Sequence, residues 1–316
     1  MNVVFMGTPD FAVPSLRTLL DGGYNVVAVV TQPDRPKGRK RELTPPPVKA
    51  EAMKHGIPVL QPEKLRDPGA VDSIRDYAPD LIVTAAYGQI LPKSLLALPK
   101  FGCINVHGSL LPKYRGGAPI QHAVMNGEAE TGVTIMYMAA GLDTGDMISR
   151  TQVPITDEDT AGTLFDTLSA AGADLLRRTL PDLLEGRLTA VPQNEAEATY
   201  APNISRDNER IDWSRPSLAI FNQIRGLNPM PGAFTLWNGE VFKVWASRKP
   251  ALATGASAEA PGTVLQMTDD GLQVRTGDGS LWLTQVQPAG KKAMSVSDLK
   301  RGTLIPPGTV LGVEPS

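Results

Sequence analysis

The chain has 316 residues, 41% of them hydrophobic, with 31 basic and 33 acidic side chains for a formal charge of −2. That length predicts two domains of unequal size, and the near-zero charge makes no global case for a nucleic-acid partner, although it is compatible with a local basic patch. There is no run of about 18–20 apolar residues of the kind a membrane span needs, the start MNVVFMGTPDF lacks a basic leader region, and the single cysteine, Cys103, excludes an intrachain disulfide or a thiolate metal cluster; the expectation is a cytoplasmic chain with no metal site.

In chain order, NVVFM from Asn2 reads as a first strand, followed by a turn at Gly7 to Asp10 and a helix ending near Leu20. NVVAVV from Asn25 is the next strand, then a polar, proline-rich segment, a helix near Val48 to Lys54, and the short apolar IPVLQP. DLIVTAAY from Asp80, GCINVHG from Gly102 and GVTIMYM from Gly132 continue the pattern, which stops after a helix near Thr160 to Leu184. Strands alternating with helices predict an α/β, Rossmann-like, doubly wound and mostly parallel sheet over residues 1–188. The polar, irregular segment 189–205 reads as a linker. From 206 to 316 the sequence opens with a helix near Pro216 to Gly226 and then shows short strand-like runs, GAFTLW, EVFKVW, GTVLQM, GLQVRT and SLWLTQV, separated by Gly/Asp turns. This pattern predicts a smaller, OB-like β-barrel domain. The Ala/Gly-rich stretch Ala251 to Ala260 is expected to be a flexible loop.

The first strand ends in Gly7-Thr8-Pro9-Asp10, which has neither GxGxxG spacing nor a phosphate-loop lysine, so hydride transfer with a dinucleotide loses its support. Gly7 is equally compatible with a tight turn and with ligand contact. The most informative segment is CINVHGSLLPKYRGGAP, from Cys103 to Pro119. Period-two alternation puts Asn105 and His107 on one face of a strand end, and in open parallel sheets ligands bind beyond the carboxyl ends of the strands. An amide beside an imidazole offers donors to a developing oxyanion and one group that exchanges protons near neutral pH. Neither is a nucleophile. Downstream, the turn-rich Gly141-Leu142-Asp143-Thr144-Gly145-Asp146 provides a carboxylate able to orient and hold charged an imidazole on an adjacent strand. Between Arg35 and Arg41, RPKGRKR supplies five basic side chains in seven positions: Arg35, Lys37, Arg39, Lys40 and Arg41. It is expected to be an exposed, mobile loop suited to RNA phosphates, the alternative being a solvated linker. Lys291, Lys292, Lys300 and Arg301 add positive charge to the C-terminal region.

NVHGSLLPKYRGGAPIQHAV followed by GLDTGDM resembles the signature of the folate-dependent formyltransferases, and DLIVTAAYGQILP is similar to that family's approach to its folate pocket. GTPDFAVPSL, TQPDRPKGRKRELTPPPVK, ERIDWS and QPAGKKAM resemble the members that act on initiator methionyl-tRNA, so the resemblance covers nearly the whole chain. It implies that Asn105, His107 and Asp143 carry catalysis, and that Ser109, Leu110, Leu111 and Pro112 line the reduced-folate site. Ile90 and Leu91, with Leu110 and Leu111, supply apolar walls for the pterin, or else are ordinary core. The implied donor is 10-formyltetrahydrofolate, consumed as co-substrate, with no metal. Direct attack by the amine gives an oxyanion stabilised by Asn105 and protonated His107, while Asp143 orients the ring and a water relays the proton. Arg39 is the foremost candidate for reaching the tRNA acceptor stem, and a monomer is expected. One departure is Met230 in Asn228-Pro229-Met230-Pro231, where the family often carries tryptophan. Glycinamide-ribonucleotide or sugar-amine formylation, formylfolate hydrolysis, and an RNA-binding module on an inactive scaffold are the competing functions.

Overall fold

The computed structural model describes residues 1–251 and 258–314, so 252–257, the middle of the Ala251 to Ala260 stretch, lies outside the described residues. The chain forms two compact units, Met1–Pro119 with Glu130–Pro154 and Phe165–Pro202, and Ile120–Ala129 with Ile155–Leu164 and Asn203–Ser316.

The first unit is built on β1 (Asn2–Gly7), β2 (Asn25–Val30), a small hairpin of β3 (Arg35–Lys37) and β4 (Glu42–Thr44), then β5 (Val59–Leu60), β6 (Leu81–Ala85), β7 (Cys103–His107), β8 (Glu130–Tyr137) and β9 (Met147–Pro154). Seven of these form one sheet in the order β5-β2-β1-β6-β7-β8-β9. Pairing is parallel from β5 through β7 and antiparallel for β7–β8 and β8–β9. The near-continuous apolar character of β1 and β6 follows from burial on both faces: Val3 to Met6 and Leu81 to Val83 are fully buried. Gly172, in the helix Ala161–Leu184, shows how closely that helix lies on the sheet, since a Cβ there would meet Val106 Cγ1 at 2.8 Å. The α/β sheet expected from the sequence is therefore present. β9 escaped the sequence reading because its residues are largely polar and only alternately covered, as befits a sheet edge.

The basic segment, expected as an exposed loop, is exposed and carries regular strand pairing. It is an antiparallel hairpin with Arg35 opposite Thr44, Pro36 opposite Leu43 and Lys37 opposite Glu42. Gly38 (φ 71°) and Arg41 (φ 51°) turn the chain, and the Arg41 N–H donates to the Gly38 carbonyl at 3.2 Å. Both faces of the hairpin are exposed, Leu43 included, so no apolar alternation betrays it in sequence.

The segment read as a linker is, up to Pro202, woven into the first unit. Met147 and Val191 exchange backbone hydrogen bonds, the Arg115 N–H donates to Thr199 O at 2.9 Å, and the Ala201 N–H donates to Arg115 O at 2.6 Å.

The packing of the helix Val13–Asp21 on the helix Pro47–Lys54 includes a buried carboxylate. Glu51 accepts from Arg17 Nε at 2.8 Å and Nη2 at 2.9 Å, with Lys54 and His55 also within reach. The Arg17 hydrogen bond, chiefly, holds the Glu51 carboxyl at about 2. Because this folded value lies below the unfolded one near 4.3, the stabilisation is fully present above pH ~4.3 and is lost as pH falls toward 2. Glu51→Gln should therefore cost on the order of 1–2 kcal/mol at pH 7, below the buried-pair limit because Arg17 is half exposed. In urea unfolding the gap to wild type should close between pH 5 and pH 2; a gap independent of pH would refute the assignment.

The second unit is antiparallel: β10 (Ala233–Trp237), β11 (Glu240–Ser247), β12 (Val264–Thr268), β13 (Gly271–Arg275), β14 (Ser280–Gln287) and β15 (Met294–Ser295), ordered β10-β11-β14-β13-β12 with β15 on β14. The β10–β11 turn is Asn238-Gly239 with both residues at positive φ, as a two-residue hairpin of the mirror-image type requires. The C-terminal segment spans the two edge strands: Val264 N–H donates to Thr309 O at 2.7 Å, Leu311 N–H to Gly262 O at 2.9 Å, and Gly312 N–H to Leu236 O at 2.8 Å. This closes the sheet on itself in the barrel-like manner the strand pattern predicted. Inside lie Trp213, Phe242, Val264, Leu281 and Leu283 with Ile220, Phe221 and Ile224 of the helix Ser217–Gly226. No helix among the described residues is long and apolar enough to cross a membrane.

Candidate active site

β7 ends between a parallel neighbour, β6, and an antiparallel one, β8, so its last residues open at the carboxyl edge of the parallel strands. Asn105 lies opposite Thr84 in the β6 register and His107 opposite Thr134 in β8. The Thr84 hydroxyl donates to Asn105 Oδ1 at 2.7 Å. Since Oδ1 is occupied by a donor, the amide is oriented with Nδ2 outward, and among the described residues Nδ2 has no hydrogen-bond partner. A half-buried amide with its two N–H groups unused is a donor waiting for an acceptor.

His107 is buried, 6% exposed. Its Nε2 lies 3.0 Å from the Tyr114 carbonyl oxygen, which only accepts, so Nε2 carries a proton. Its Nδ1 faces Asp143 Oδ2 at 3.7 Å. The ring therefore has an acceptor on each side. Asp143 Oδ2 also accepts from the Gly116 N–H at 2.8 Å, which fixes the carboxylate from the far side. Asp143 itself stands at φ 51°, a left-handed conformation that costs a non-glycine residue about 1–2 kcal/mol. The structure thus brings His107 and Asp143 together, with Asn105 two residues before His107 on β7.

The residues expected around the folate divide by exposure. Ser109, Leu111, Pro112 and Leu91 are buried. The Ser109 hydroxyl donates to Lys113 O at 2.7 Å, Ser109 O accepts from the Thr134 hydroxyl at 2.7 Å, and that same hydroxyl oxygen accepts from the Leu111 N–H at 3.1 Å. Leu91 belongs to the core on one side of the sheet with Val4, Val30 and Ile82. These four hold the backbone of the loops in place, whereas Ile90 is 73% exposed and half-buried Leu110 lies with its side chain against Gly132 of β8. Ile90 sits in the loop after β6, where Ala86 and Gly88 take positive φ and the Tyr87 carbonyl accepts from Thr8 Oγ1 and Gln32 Nε2. Burial pushes the Tyr87 phenol up to about 12.

Of the basic residues, Arg35, Lys37, Arg39, Lys40 and Arg41 are all exposed on the β3–β4 hairpin, with Arg35 in a loose pair to Glu63 at 3.3 Å. Lys291 and Lys292 are exposed in the β14–β15 turn of the second unit, whereas Lys300 and Arg301 are paired with Asp269 and Asp298. Met230 is 74% exposed. Among the described residues no three His, Cys, Asp or Glu side chains come together as a metal-binding group.

Sequence reasoning missed Thr84, the Tyr114 carbonyl and the Gly116 N–H. Thr84 is set beside Asn105 by the register of β6 on β7, which no local pattern in the sequence reports. The two backbone groups carry no sequence signal at all.

Residues 1–180 match the family described as formyl transferase, and residues 203–304 match its C-terminal domain. The chain is 59% identical over 314 residues, 98% of each chain, to methionyl-tRNA formyltransferase of Geobacillus thermodenitrificans. Among solved structures, WlaRD, a sugar 3N-formyl transferase crystallised with dTDP and 5-N-formyl-THF, superposes with TM-score 0.67 at 20% identity over 92% of this chain and 99% of that one. HypX from Aquifex aeolicus, crystallised with tetrahydrofolic acid, gives TM-score 0.64 at 16% identity over 94% of this chain; this chain spans 46% of the HypX chain. At such identities the structural likenesses speak for the fold, while the full-length relative speaks for the family within it. The chain belongs to the formyltransferase family, in the branch of the methionyl-tRNA formyltransferases.

Proposed function

We propose that this chain transfers the formyl group of 10-formyltetrahydrofolate to the α-amino group of methionine esterified to initiator tRNA, giving N-formylmethionyl-tRNA for translation initiation in the cytoplasm. The observation that carries the reading is the pairing of an outward-facing Asn105 amide, oriented by Thr84, with a His107 ring that has an acceptor on each side. The amide donates to an oxyanion and the imidazole is the group able to exchange a proton, and the pair contains no serine or cysteine nucleophile. Direct attack by the amine follows. An α-amino group titrates near pH 7.7–8, so a useful fraction is nucleophilic at neutral pH and the site contributes positioning more than base strength.

The donor supplies the formyl carbon. Ile90 and Leu110 form apolar walls for its pterin, on backbone held by Ser109, Leu111, Pro112 and Leu91. Asn105 Nδ2 donates to the oxyanion formed when the amine adds to that carbon, and the protonated His107 ring, whose N–H groups face Tyr114 O and Asp143 Oδ2, stabilises the negative charge through its own positive charge. Asp143 keeps the imidazole charged and oriented. The proton lost by the amine travels through a water to the departing folate nitrogen, so no covalent enzyme intermediate forms and no metal takes part. The catalytic domain takes in residues 1–188 and the following segment up to Pro202, and 206–316 binds tRNA as a second contact surface through Lys291 and Lys292, the whole acting as a monomer. The exposed hairpin carrying Arg35, Lys37, Arg39, Lys40 and Arg41 reaches RNA phosphates, with Arg39 at the acceptor stem.

The test is formyl transfer from 10-formyltetrahydrofolate to methionyl initiator tRNA beside free methionine, glycinamide ribonucleotide and no acceptor. Transfer confined to charged tRNA is expected. Transfer to a small amine alone would overturn the tRNA acceptor, and formyl release without any amine would indicate a hydrolase. In the same assay Arg39→Ala should raise KM for tRNA and reduce the log–log salt slope of binding by about 0.7–0.9, the contribution of one phosphate contact, while leaving KM for the folate unchanged. Unaltered tRNA kinetics would remove the hairpin from the mechanism.

A further inference from the structure

Both oxygen atoms that face His107 belong to backbone loops rather than to the sheet, and something must hold those loops. Asp143 stands at φ 51° in a left-handed turn, a conformation open to aspartate, so the turn and not the strand sets where its carboxylate lies. The Gln193 side-chain amide spans the turn: Nε2 donates to the Asp143 carbonyl at 2.7 Å and to the Gly145 carbonyl at 2.8 Å. Its Oε1 accepts from Arg115 Nε at 3.1 Å and Nη2 at 2.9 Å. The orientation of this amide is forced, because the guanidinium only donates and the two carbonyls only accept. All four of its hydrogen-bonding positions are used.

Arg115, the anchor, has a side chain wholly buried and paired to both carboxylate oxygens of Glu195, at 2.7 and 3.0 Å. Its backbone sits between Tyr114, whose carbonyl meets His107 Nε2, and Gly116, whose N–H meets the Asp143 carboxylate. Tyr114 is itself held by its N–H to Thr199 Oγ1 at 2.8 Å. The segment Gln193 to Ala201 therefore braces both acceptors of the imidazole: Tyr114 through Thr199, and Asp143 through Gln193.

We propose that Gln193 is a positioning residue for the proposed transfer reaction, holding the Asp143 turn, with Arg115 as its buried anchor, so that the carboxylate stays opposite His107 Nδ1. Gln193 touches neither reacting atom; it acts through Asp143. The inference rests on the function proposed above only for its kinetic readout. Small displacements of a group that positions the reacting ring are costly, about 10²-fold for 1 Å.

Gln193→Glu is the discriminating variant. It is isosteric and keeps an acceptor for Arg115, but it turns two donors into an oxygen facing two carbonyl oxygens. Gln193→Ala removes the contact altogether. Both should lower kcat for transfer to methionyl-tRNA by about 10- to 100-fold, with KM for the formyl donor and for tRNA changed less than threefold. Arg17→Ala, which breaks an ion pair outside the site, should lower Tm without this loss of kcat. Without any substrate, hydrogen exchange at the Gly116 amide should accelerate by about tenfold or more in Gln193→Glu as the Asp143 acceptor is released. A kcat within threefold of wild type, or unchanged Gly116 exchange, would overturn the assignment. A wild-type chain inactive on every acceptor would instead overturn the proposed function and leave the exchange result to decide whether Gln193 holds the turn.

Discussion

His107→Ala is expected to lower kcat for formyl transfer to methionyl initiator tRNA by about 10²–10⁴-fold, the range for losing a positioned proton-exchanging group, while tRNA binding stays within threefold of wild type. The reason is local. The imidazole is 6% exposed and held between the Tyr114 carbonyl and the Asp143 carboxylate, so its removal takes away the proton-exchanging group but touches no element of the basic hairpin. Steady-state kinetics with a filter-binding measurement of tRNA affinity separate the two quantities. Equal losses of affinity and rate would contradict the role given to His107. The loss should also persist at saturating folate, since an interaction made only during the reaction lowers kcat and kcat/KM together.

Asn105→Asp is the second large effect and the sharper chemical test. The substitution preserves size and keeps an oxygen for the Thr84 hydroxyl, which now donates to Asn105 Oδ1 at 2.7 Å. What changes is the outward group, from an N–H donor to an acceptor bearing negative charge. If the Asn105 amide stabilises a developing oxyanion, kcat should fall by at least about 10²–10³-fold, the loss typical of one missing oxyanion donor, because repulsion is added to the missing hydrogen bond. Wild-type turnover in Asn105→Asp would remove Asn105 from that role. Circular dichroism and Tm near wild type would show that the strand is intact and that the loss is chemical.

Much of this was written in the residues themselves. Apolar runs such as Val3 to Met6 and Leu81 to Val83 announce strands buried on both faces, and the regular alternation of such runs with helical segments announces a parallel sheet. The short runs and Gly/Asp turns after residue 206 announce an antiparallel domain for the same reason: local periodicity reports local burial. Asn105 and His107 were legible together because a strand's two-residue period is a purely local property. The loop Gly141 to Asp146 was legible as a source of a carboxylate able to orient the imidazole, and the resemblance to formyltransferases pointed to Asp143 within it.

The rest depends on contacts between residues distant in sequence, and on backbone groups that every residue possesses. β9 and the β3–β4 hairpin are polar and exposed, so they are strands by pairing rather than by pattern. The burial of Ser109, Leu111, Pro112 and Leu91 beside the exposure of Ile90 separates supports from surface within one predicted pocket, a distinction that residue type cannot make. Residues 193–201 looked like a linker because they are polar, yet that polarity is spent on Arg115 and on the carbonyls of Asp143 and Gly145. Sequence by itself determined which chemical groups the chain has and which strand end carries the amide and the imidazole. Only the tertiary structure decided the partners of those groups, because hydrogen bonds such as Thr84 to Asn105 and Gln193 to Asp143 are set by the meeting of separate segments, not by the periodicity of any one of them.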